Sequence, residues 1–466
     1  PSSSRLLIKY TFNGTGYVEE WQKKYSENPN YDLGVPYICD FNGDGNADIL
    51  VYDKVFDAKT GNLLVDAGFI GTSGTTSNSF GVGGYRTNLS VAEYPPLIAL
   101  DDLGGADKDG LPEVAAGNCI YKVIINSLTD PSKNSFTLIQ KLTGGFDGPT
   151  SLADMNLDGD IDVVVMGFNG QIYFPYVWNP RTGKRLDTHN AANAITVGDK
   201  PLIASLSDID KDGYPEIIVP AVNKIVTFDF DNTGKLTKKK EYTANAPGGT
   251  SVVALFDFDQ QGDTEGIFKD ADLIRVVRTD GIKFSTACSG KQGFGHPIIL
   301  DINQDHAFRS EIVTVGGTTS SAEAGTVRVY GGKNTRKAPA RRVWNQYVYN
   351  VLNINETLTV PAYPLSNAIN YPGLDNLLGT NDDIRPFNIY LQQISLMDNN
   401  GMPVYPIPNA VIIPNPEVKN YPSGDSITLA VKFVNDGAIP FFRTFYASAY
   451  KNSITNANRV ATDSID

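Results

Sequence analysis

The chain has 466 residues, a formal net charge of −13, 20% charged and 10% aromatic residues, 44 Gly and 27 Pro. That length allows a large core and more than one domain, and a composition so rich in turn formers favours an all-β protein over a helical one. The negative charge argues against nucleic acid as a partner, and no apolar run of about 20 residues offers a membrane span.

The first predicted element is a hairpin over 6–25, LLIKYTFNGTGYVEEWQKKY, whose apolar alternation breaks at a Gly-containing turn. The next is a short run, GVPYIC at 34–39, followed by an acidic loop: Asp40, Asn42 and Asp44 at alternate positions, Gly45 at the sixth, Asn46 at the seventh and Asp48 at the ninth. Oxygen side chains at positions 1, 3, 5 and 9, a main-chain carbonyl at 7 and a Gly at 6 suit a hard cation, because calcium takes six to eight oxygens at roughly 2.3–2.6 Å from a tightly curled chain. An ordinary polar turn explains one such loop as well. Recurrence at a period of about 40–60 residues is what decides against it.

The full pattern returns as Asp154, Asn156, Asp158, Gly159, Asp160 and Asp162, and as Asp208, Asp210, Asp212, Gly213, Tyr214 and Glu216. Three further copies depart from it. Asp107, Asp109, Gly110, Leu111 and Glu113 lack an acid at position 1, which Asp102 can supply through a small bulge; Asp257, Asp259, Asp263 and Glu265 carry Gln261 at position 5; Asp301, Asn303 and Asp305 lose the Gly, and Glu311 falls two residues late. We therefore expect about four to six bound calcium ions.

Each loop sits between two short apolar runs, such as PLIASLS before and PEIIVP after the copy at 208–216, and these read as buried strands. A hairpin follows each pair: 54–65, 119–141, 171–186, 224–242, 273–284 and 326–332. Strand, loop, strand and hairpin make four strands per repeat, the unit of a β-propeller. With the N-terminal hairpin counted, seven outer pairs face six loop-bearing inner pairs. Ring closure then predicts a seventh inner pair from VWNQYVYNVLNINETLTVP at 343–361, giving seven blades, with six as the alternative.

This pattern resembles the FG-GAP and VCBS repeat family, the calcium-loop propellers of integrin α-subunit heads and bacterial surface proteins. The run Arg341, Arg342, Val343, Trp344, Asn345, Gln346, Tyr347 further resembles the closing segment of large secreted adhesin-like proteins. The resemblance implies a propeller over 1–362, a linker over 363–386 and, from 387 to 466, part of an immunoglobulin-like sandwich of the CARDB type. Calcium loops of the low-affinity class imply an extracellular or cell-surface setting, where millimolar calcium keeps them filled. The start at Pro1 and the half-length sandwich lead us to expect that the sequence is a piece of a longer, processed chain.

The three cysteines, Cys39, Cys119 and Cys288, lie in strand-like runs and read as small buried apolar groups without a disulfide framework. Histidines are limited to His189, His296 and His306, none in a local motif, so a nucleophile-and-base arrangement is not visible. The expected function is non-catalytic binding of a glycan or protein ligand, alone or within a larger surface assembly. A polysaccharide-active, lyase-like enzyme and a structural spacer are the alternatives. Arg341, Arg342 and Trp344 read first as strand-end residues and second as a contact patch.

Overall fold

The computed structural model describes residues 5–26, 36–67 except 52, 97–98, 109–188 except 147 and 169–171, 201–245, 251–302 except 260–263, 272, 280 and 289–294, 310–316, 326–331, 338–368 except 365, 388–395, and strands between 410 and 465. Within these residues there is no α-helix, and two short 3-10 turns occur at Pro131–Lys133 and Val351–Asn353.

The chain opens with the hairpin β1 (Arg5–Phe12) and β2 (Tyr17–Ser26). Blade one follows as β3 (Tyr37–Cys39), β4 (Asp48–Val51), β5 (Lys54–Asp57) and β6 (Leu63–Asp66). Blade two is β7 (Leu97–Ile98), β8 (Val114–Ala116), β9 (Cys119–Ile124) and β10 (Ser135–Lys141). Blade three is β11 (Thr150–Ala153), β12 (Asp162–Phe168), β13 (Tyr173–Asn179) and β14 (Lys184–Arg185). Blade four is β15 (Ser205–Ser207), β16 (Glu216–Ala221), β17 (Lys224–Phe230) and β18 (Leu236–Thr243). Blade five is β19 (Ala254–Phe256), β20 (Glu265–Lys269), β21 (Leu273–Arg278) and β22 (Gly281–Ala287). Blade six shows β23 (Ile298–Leu300), β24 (Glu311–Gly316) and β25 (Thr326–Tyr330). Every blade is an antiparallel meander in chain order.

Side-chain chemistry sets the order within a blade. The second strands are almost wholly apolar, and β12 and β16 are buried along nearly their entire length, as strands covered on both faces must be. Each Val or Ile sealed there contributes about 1.5–3 kcal/mol of transfer free energy. The outermost strand is polar where it meets water, as in Lys238, Lys239 and Lys240 of β18. First strands of neighbouring blades touch one another, so they form the inner ring. Small hydroxyl residues make that approach possible: Ser151 Oγ donates to the Ala204 carbonyl at 2.6 Å and Ser205 Oγ to that of Val253 at 2.5 Å. Further out, Trp178 Nε1 donates to the Gly117 carbonyl of blade two at 3.1 Å, and Tyr330 Oη to Ala287 of blade five at 3.0 Å. This is a β-propeller.

The segment 343–361 does not supply the expected inner pair. It contains no strand, and its alternation comes from Val343, Val348, Tyr349, Val351, Leu352 and Ile354 turning inward around a 3-10 turn. It closes onto the inner strand of blade one, where Gln346 Oε1 accepts from Ile38 N at 2.9 Å and Asn353 Nδ2 donates to the Ile38 carbonyl at 2.7 Å. Hairpin β1–β2 pairs only with itself among the described strands. It packs Tyr25 and Leu7 on Val51 and Phe56 of blade one, and Trp21 lies over Gly61. The described residues thus form six blades and a separate hairpin, without the seventh pair.

Residues 388–395 add a feature that the sequence pattern does not display. Asn388 bonds Asp154 of blade three through both amide atoms, Tyr390 exchanges main-chain bonds with Leu206 of blade four, Leu391 and Gln393 bond Leu255 of blade five, and the Gln393 side chain donates to the Ile299 carbonyl of blade six at 2.8 Å. One extended stretch therefore crosses four successive inner strands and satisfies main-chain groups that no blade neighbour reaches. Arg341, read from the sequence as a strand end or contact residue, is a buried strut. Its guanidinium holds Glu356, the Tyr349 hydroxyl at 2.8 Å and the carbonyls of Val351 and Ile354 at 2.8 and 2.6 Å. His296 is packed between Trp344 and Tyr347, in line with a structural role, whereas His189 and His306 lie outside the described residues.

The linker expected over 363–386 falls mainly outside the described residues. Beyond it the chain is again all-β: β26 (Ala410–Ile412) pairs with β29 (Phe433–Asn435), β27 (Glu417–Asn420) with β28 (Ile427–Ala430), and β30 (Phe445–Tyr450) with β31 (Arg459–Ile465).

Candidate metal centres

The acidic loops join the first and second strands of the blades. Their shape rests on two clamps. In the first, the carboxylate at position 1 accepts from the main-chain amide at position 6: Asp40 from Gly45 at 2.7 Å, Asp154 from Gly159 at 2.9 Å and Asp208 from Gly213 at 2.9 Å. In the second, the carboxylate at position 9 accepts from the amide at position 2: Asp48 from Phe41 at 3.0 Å, Asp162 from Met155 at 3.0 Å, Glu216 from Ile209 at 2.6 Å and Glu265 from Phe258 at 2.9 Å. Glu311 makes the same contact with Ile302 N at 3.2 Å, so the two-residue delay in blade six does not prevent its acid from reaching the clamp.

Curling nine residues this tightly forces left-handed backbone. The Gly at position 6 adopts it, with φ of 81° at Gly45, 89° at Gly159 and 97° at Gly213. Position 4 does so too, at Gly43 (69°), Leu157 (60°) and Lys211 (69°), a demand that residue identities at 157 and 211 conceal.

Burial makes the clamped acids unusual. With desolvation as the largest cause and neighbouring carboxylates adding to it, the carboxyl of Asp48 is pushed up to about 7, Asp154 to about 6, Asp162 to about 8 and Glu216 to about 9. Asp40 and Asp208 are raised for the same reason. Asp44 is slightly desolvated, but hydrogen bonds from Asn46 and Asn42 leave it lowered. Two buried oxygens, Asp162 Oδ1 and Glu216 Oε1, have no hydrogen-bond partner. A deep acidic oxygen without a partner is costly, and a cation is the simplest group that removes the cost.

In blade four Asp208, Asp210 and Glu216 offer oxygens within 4.8 Å of one another, about twice a calcium–oxygen bond length. Asp212, Glu216 and Asp229 form an overlapping set. Asp229 lies on β17 and was not among the residues expected from the loop pattern; Lys239 pairs with it at 2.8 Å. In blade five Asp257, Asp259 and Glu265 also come within 4.8 Å, but Arg278 of β21 is placed against Asp259 and Glu265. In blades one and three the loop acids are linked through amide groups, Asn42 Nδ2 donating to Asp44 at 3.2 Å and Asn156 Nδ2 to Asp158 at 2.9 Å. Asp160 holds Arg181 at 2.6 Å, a use of its side chain that leaves its main-chain carbonyl free of that pair. In blade two Asp109 pairs with Lys122 at 2.8 Å and Glu113 is buried. Asp102, Asp107, Asp263, Asn303 and Asp305 lie outside the described residues, and Asp301 faces Arg342 at 3.6 Å.

Residues 154–219, which span the loops of blades three and four, match the family model described as an FG-GAP-like repeat. The chain is a β-propeller carrying an FG-GAP-like repeat. Among solved structures this propeller is similar to the biofilm matrix protein Bap1 of V. cholerae, at 13% identity, over 80% of this chain and 79% of that one, with a TM-score of 0.50. It is also similar to the Dos1 propeller, at 13% identity over 74% and 73% of the two chains with a TM-score of 0.38. A third is an Agrocybe aegerita lectin recognising non-reducing terminal N-acetylglucosamine, at 15% identity over 70% and 94% with a TM-score of 0.37. Among curated proteins no sequence match is found. The described part of the propeller has no helix long and apolar enough to cross a membrane.

Proposed function

We propose that the protein is a non-catalytic, calcium-stabilised binding propeller that works at a cell surface or in the extracellular medium. The observation that carries this reading is Glu216. Its Oε1 is buried without a partner, in a loop whose Asp208 and Asp210 place oxygens within 4.8 Å of the same carboxylate. The donor set is oxygen throughout, from carboxylates, the amide side chains Asn42 and Asn156, and the main-chain carbonyls of Asn46, Asp160 and Tyr214. It suits calcium better than magnesium, which keeps several waters and tolerates less varied geometry. When bound, the ion supplies charge neutralisation and a tie between the first and second strands. Its binding free energy then adds to folding free energy.

The same carboxylates argue against catalysis as their role. Asp154, Glu216 and Asp208 are each fixed by a main-chain amide of their own loop, the arrangement a cation-holding turn needs. An extracellular setting follows from the low-affinity class of such loops, and a fold shared with a biofilm matrix protein is compatible with it. The partner we propose is a glycan or a protein held by the connections on one face of the ring. Thermal melting of the chain with calcium and after exhaustive chelation tests the metal claim: the midpoint falls on chelation and returns with calcium, and an unchanged midpoint removes it. A glycan array probed with the calcium-loaded protein tests the ligand class, with retention on a defined set of sugars expected and uniform absence of binding pointing to a protein partner.

A further inference from the structure

The third strand of each blade runs beside the second, so one of its residues stands opposite the acid at position 9. In blade one the register pairs Asp48 with Asp57. Extending the registers Val114↔Tyr121, Val163↔Trp178, Ile217↔Phe228 and Gly266↔Val277 by one residue places Lys122 opposite Glu113, Asn179 opposite Asp162, Asp229 opposite Glu216 and Arg278 opposite Glu265. Of these five blades three present a neutral or acidic group to the loop and two present a cation; in blade six the same extension of Ile312↔Tyr330 puts Gly331 opposite Glu311, with 303–309 outside the described residues.

Blades four and five allow an atom-by-atom comparison. Glu216 Oε2 accepts from Ile209 N, and its Oε1 has no partner. Glu265 Oε2 accepts from Phe258 N in the same way, but its Oε1 accepts from Arg278 Nε at 2.5 Å, and Nη2 of the same guanidinium bridges Glu265 and Asp259. A guanidinium stays charged at any physiological pH and presents fixed donors matched to two carboxylates. It fills the coordination directions that a divalent ion needs and repels that ion at contact distance. In blade two Lys122 pairs with Asp109, the acid at position 5, while residues 99–108 lie outside the described residues.

We infer that the loop of blade five is closed by the protein's own cation and carries no metal, and that the residue opposite position 9 decides which loops take calcium. The inference rests on the calcium reading of the loops of blades one, three and four. It makes Arg278 a residue that sets metal selectivity, and it removes the loop of blade five from the four to six calcium sites expected. Lys239, exposed, pairs with the third-strand acid Asp229 at 2.8 Å and reaches Asp210 and Glu216 only through its charge at longer range, unlike Arg278, which is bonded to the loop carboxylates themselves.

The test is calcium content after equilibrium dialysis of the folded chain, read by elemental analysis, together with the calcium-induced shift in melting. Arg278→Asn copies the residue found in blade three and is expected to bind one more ion per chain than the parent and to show a larger calcium shift. Arg278→Lys keeps the charge and is expected to match the parent. Asp229→Arg transfers the device to blade four and is expected to lose one ion. An Arg278→Asn chain with unchanged calcium content, or a calcium ion found at 257–265 in the parent, overturns the inference while leaving the other loops intact. A parent chain that binds no calcium at all removes the underlying reading instead. If Arg278→Asn does not fold, the parent's own content at 257–265, read crystallographically, decides the question.

Discussion

The loops of blades four and five share strands, spacing and the clamp from position 2 to position 9, yet they meet different neighbours. One faces Asp229 and leaves a buried oxygen of Glu216 unpaired; the other faces Arg278 and has the corresponding oxygen of Glu265 filled. Burial pushes both acids up, but Glu216 reaches about 9 and Glu265 only about 7, because the guanidinium pulls the latter back. The lesson is that an acidic loop does not by itself report a metal. What it requires depends on the charge supplied across the sheet.

The largest effect that separates the two loops is chelation. On the proposed calcium reading, each occupied loop loses about 2.7 kcal/mol of stabilisation when free calcium falls from 100 times its dissociation constant to zero. In differential scanning calorimetry the main transition should drop by several degrees in chelator, and hydrogen exchange should rise in the amides of 208–216 while those of the described part of 257–265 stay protected. Loss of protection in both loops breaks the comparison.

Single acids sharpen it next. Glu265→Gln removes one of the two carboxylates that hold Arg278, leaving Asp259, and should cost about 1.5–3 kcal/mol in chemical denaturation, equally with and without calcium. Glu216→Gln should be destabilising only in calcium. In chelator it should be neutral or stabilising, because the variant no longer buries a carboxyl that must be held protonated, pushed up to about 9 by burial. Equal behaviour of the two variants would show that the loops do not differ.

The smallest effect is the pH dependence of the calcium-free chain. The raised acids Asp48, Asp162 and Glu216 bind more protons folded than unfolded between the ordinary carboxylate pKa of about 4 and their folded values of about 7 to about 9. The slope of unfolding free energy with pH is then negative across that window, so their contribution is present at low pH and lost as pH rises through it. Urea midpoints in chelator should fall from pH 5 to pH 9. Calcium, which needs the ionised acids, should flatten or reverse the trend. A calcium-free chain whose midpoint rises over that range would contradict the assigned burial.

Much of this architecture was legible in local pattern. The loops announce themselves because a turn clamped from position 1 to 6 and from position 9 to 2 leaves a fixed spacing, and the flanking runs read as strands because burial on both faces selects Val, Ile and Ala, as in β12 and β16. Local pattern falls short where the deciding contact is distant in sequence. Arg278 and Asp229 look like ordinary strand residues until the register sets them opposite Glu265 and Glu216. The stretch 343–361 alternates like a strand because its apolar residues turn inward around Val351–Asn353, and nothing in that alternation separates packing from pairing. Residues 388–395 carry no period at all; they are held by main-chain bonds to Leu206 and Leu255 and by the amide side chains of Asn388 and Gln393 on Asp154 and Ile299, contacts whose partners are distant in sequence.

The most direct measurement is an anomalous diffraction map of crystals grown in calcium. The account predicts ions at the loops 40–48, 154–162 and 208–216 and none at 257–265, where Arg278 lies against Glu265. An ion at 257–265 with Arg278 displaced, or an empty 208–216 loop in saturating calcium, would contradict it.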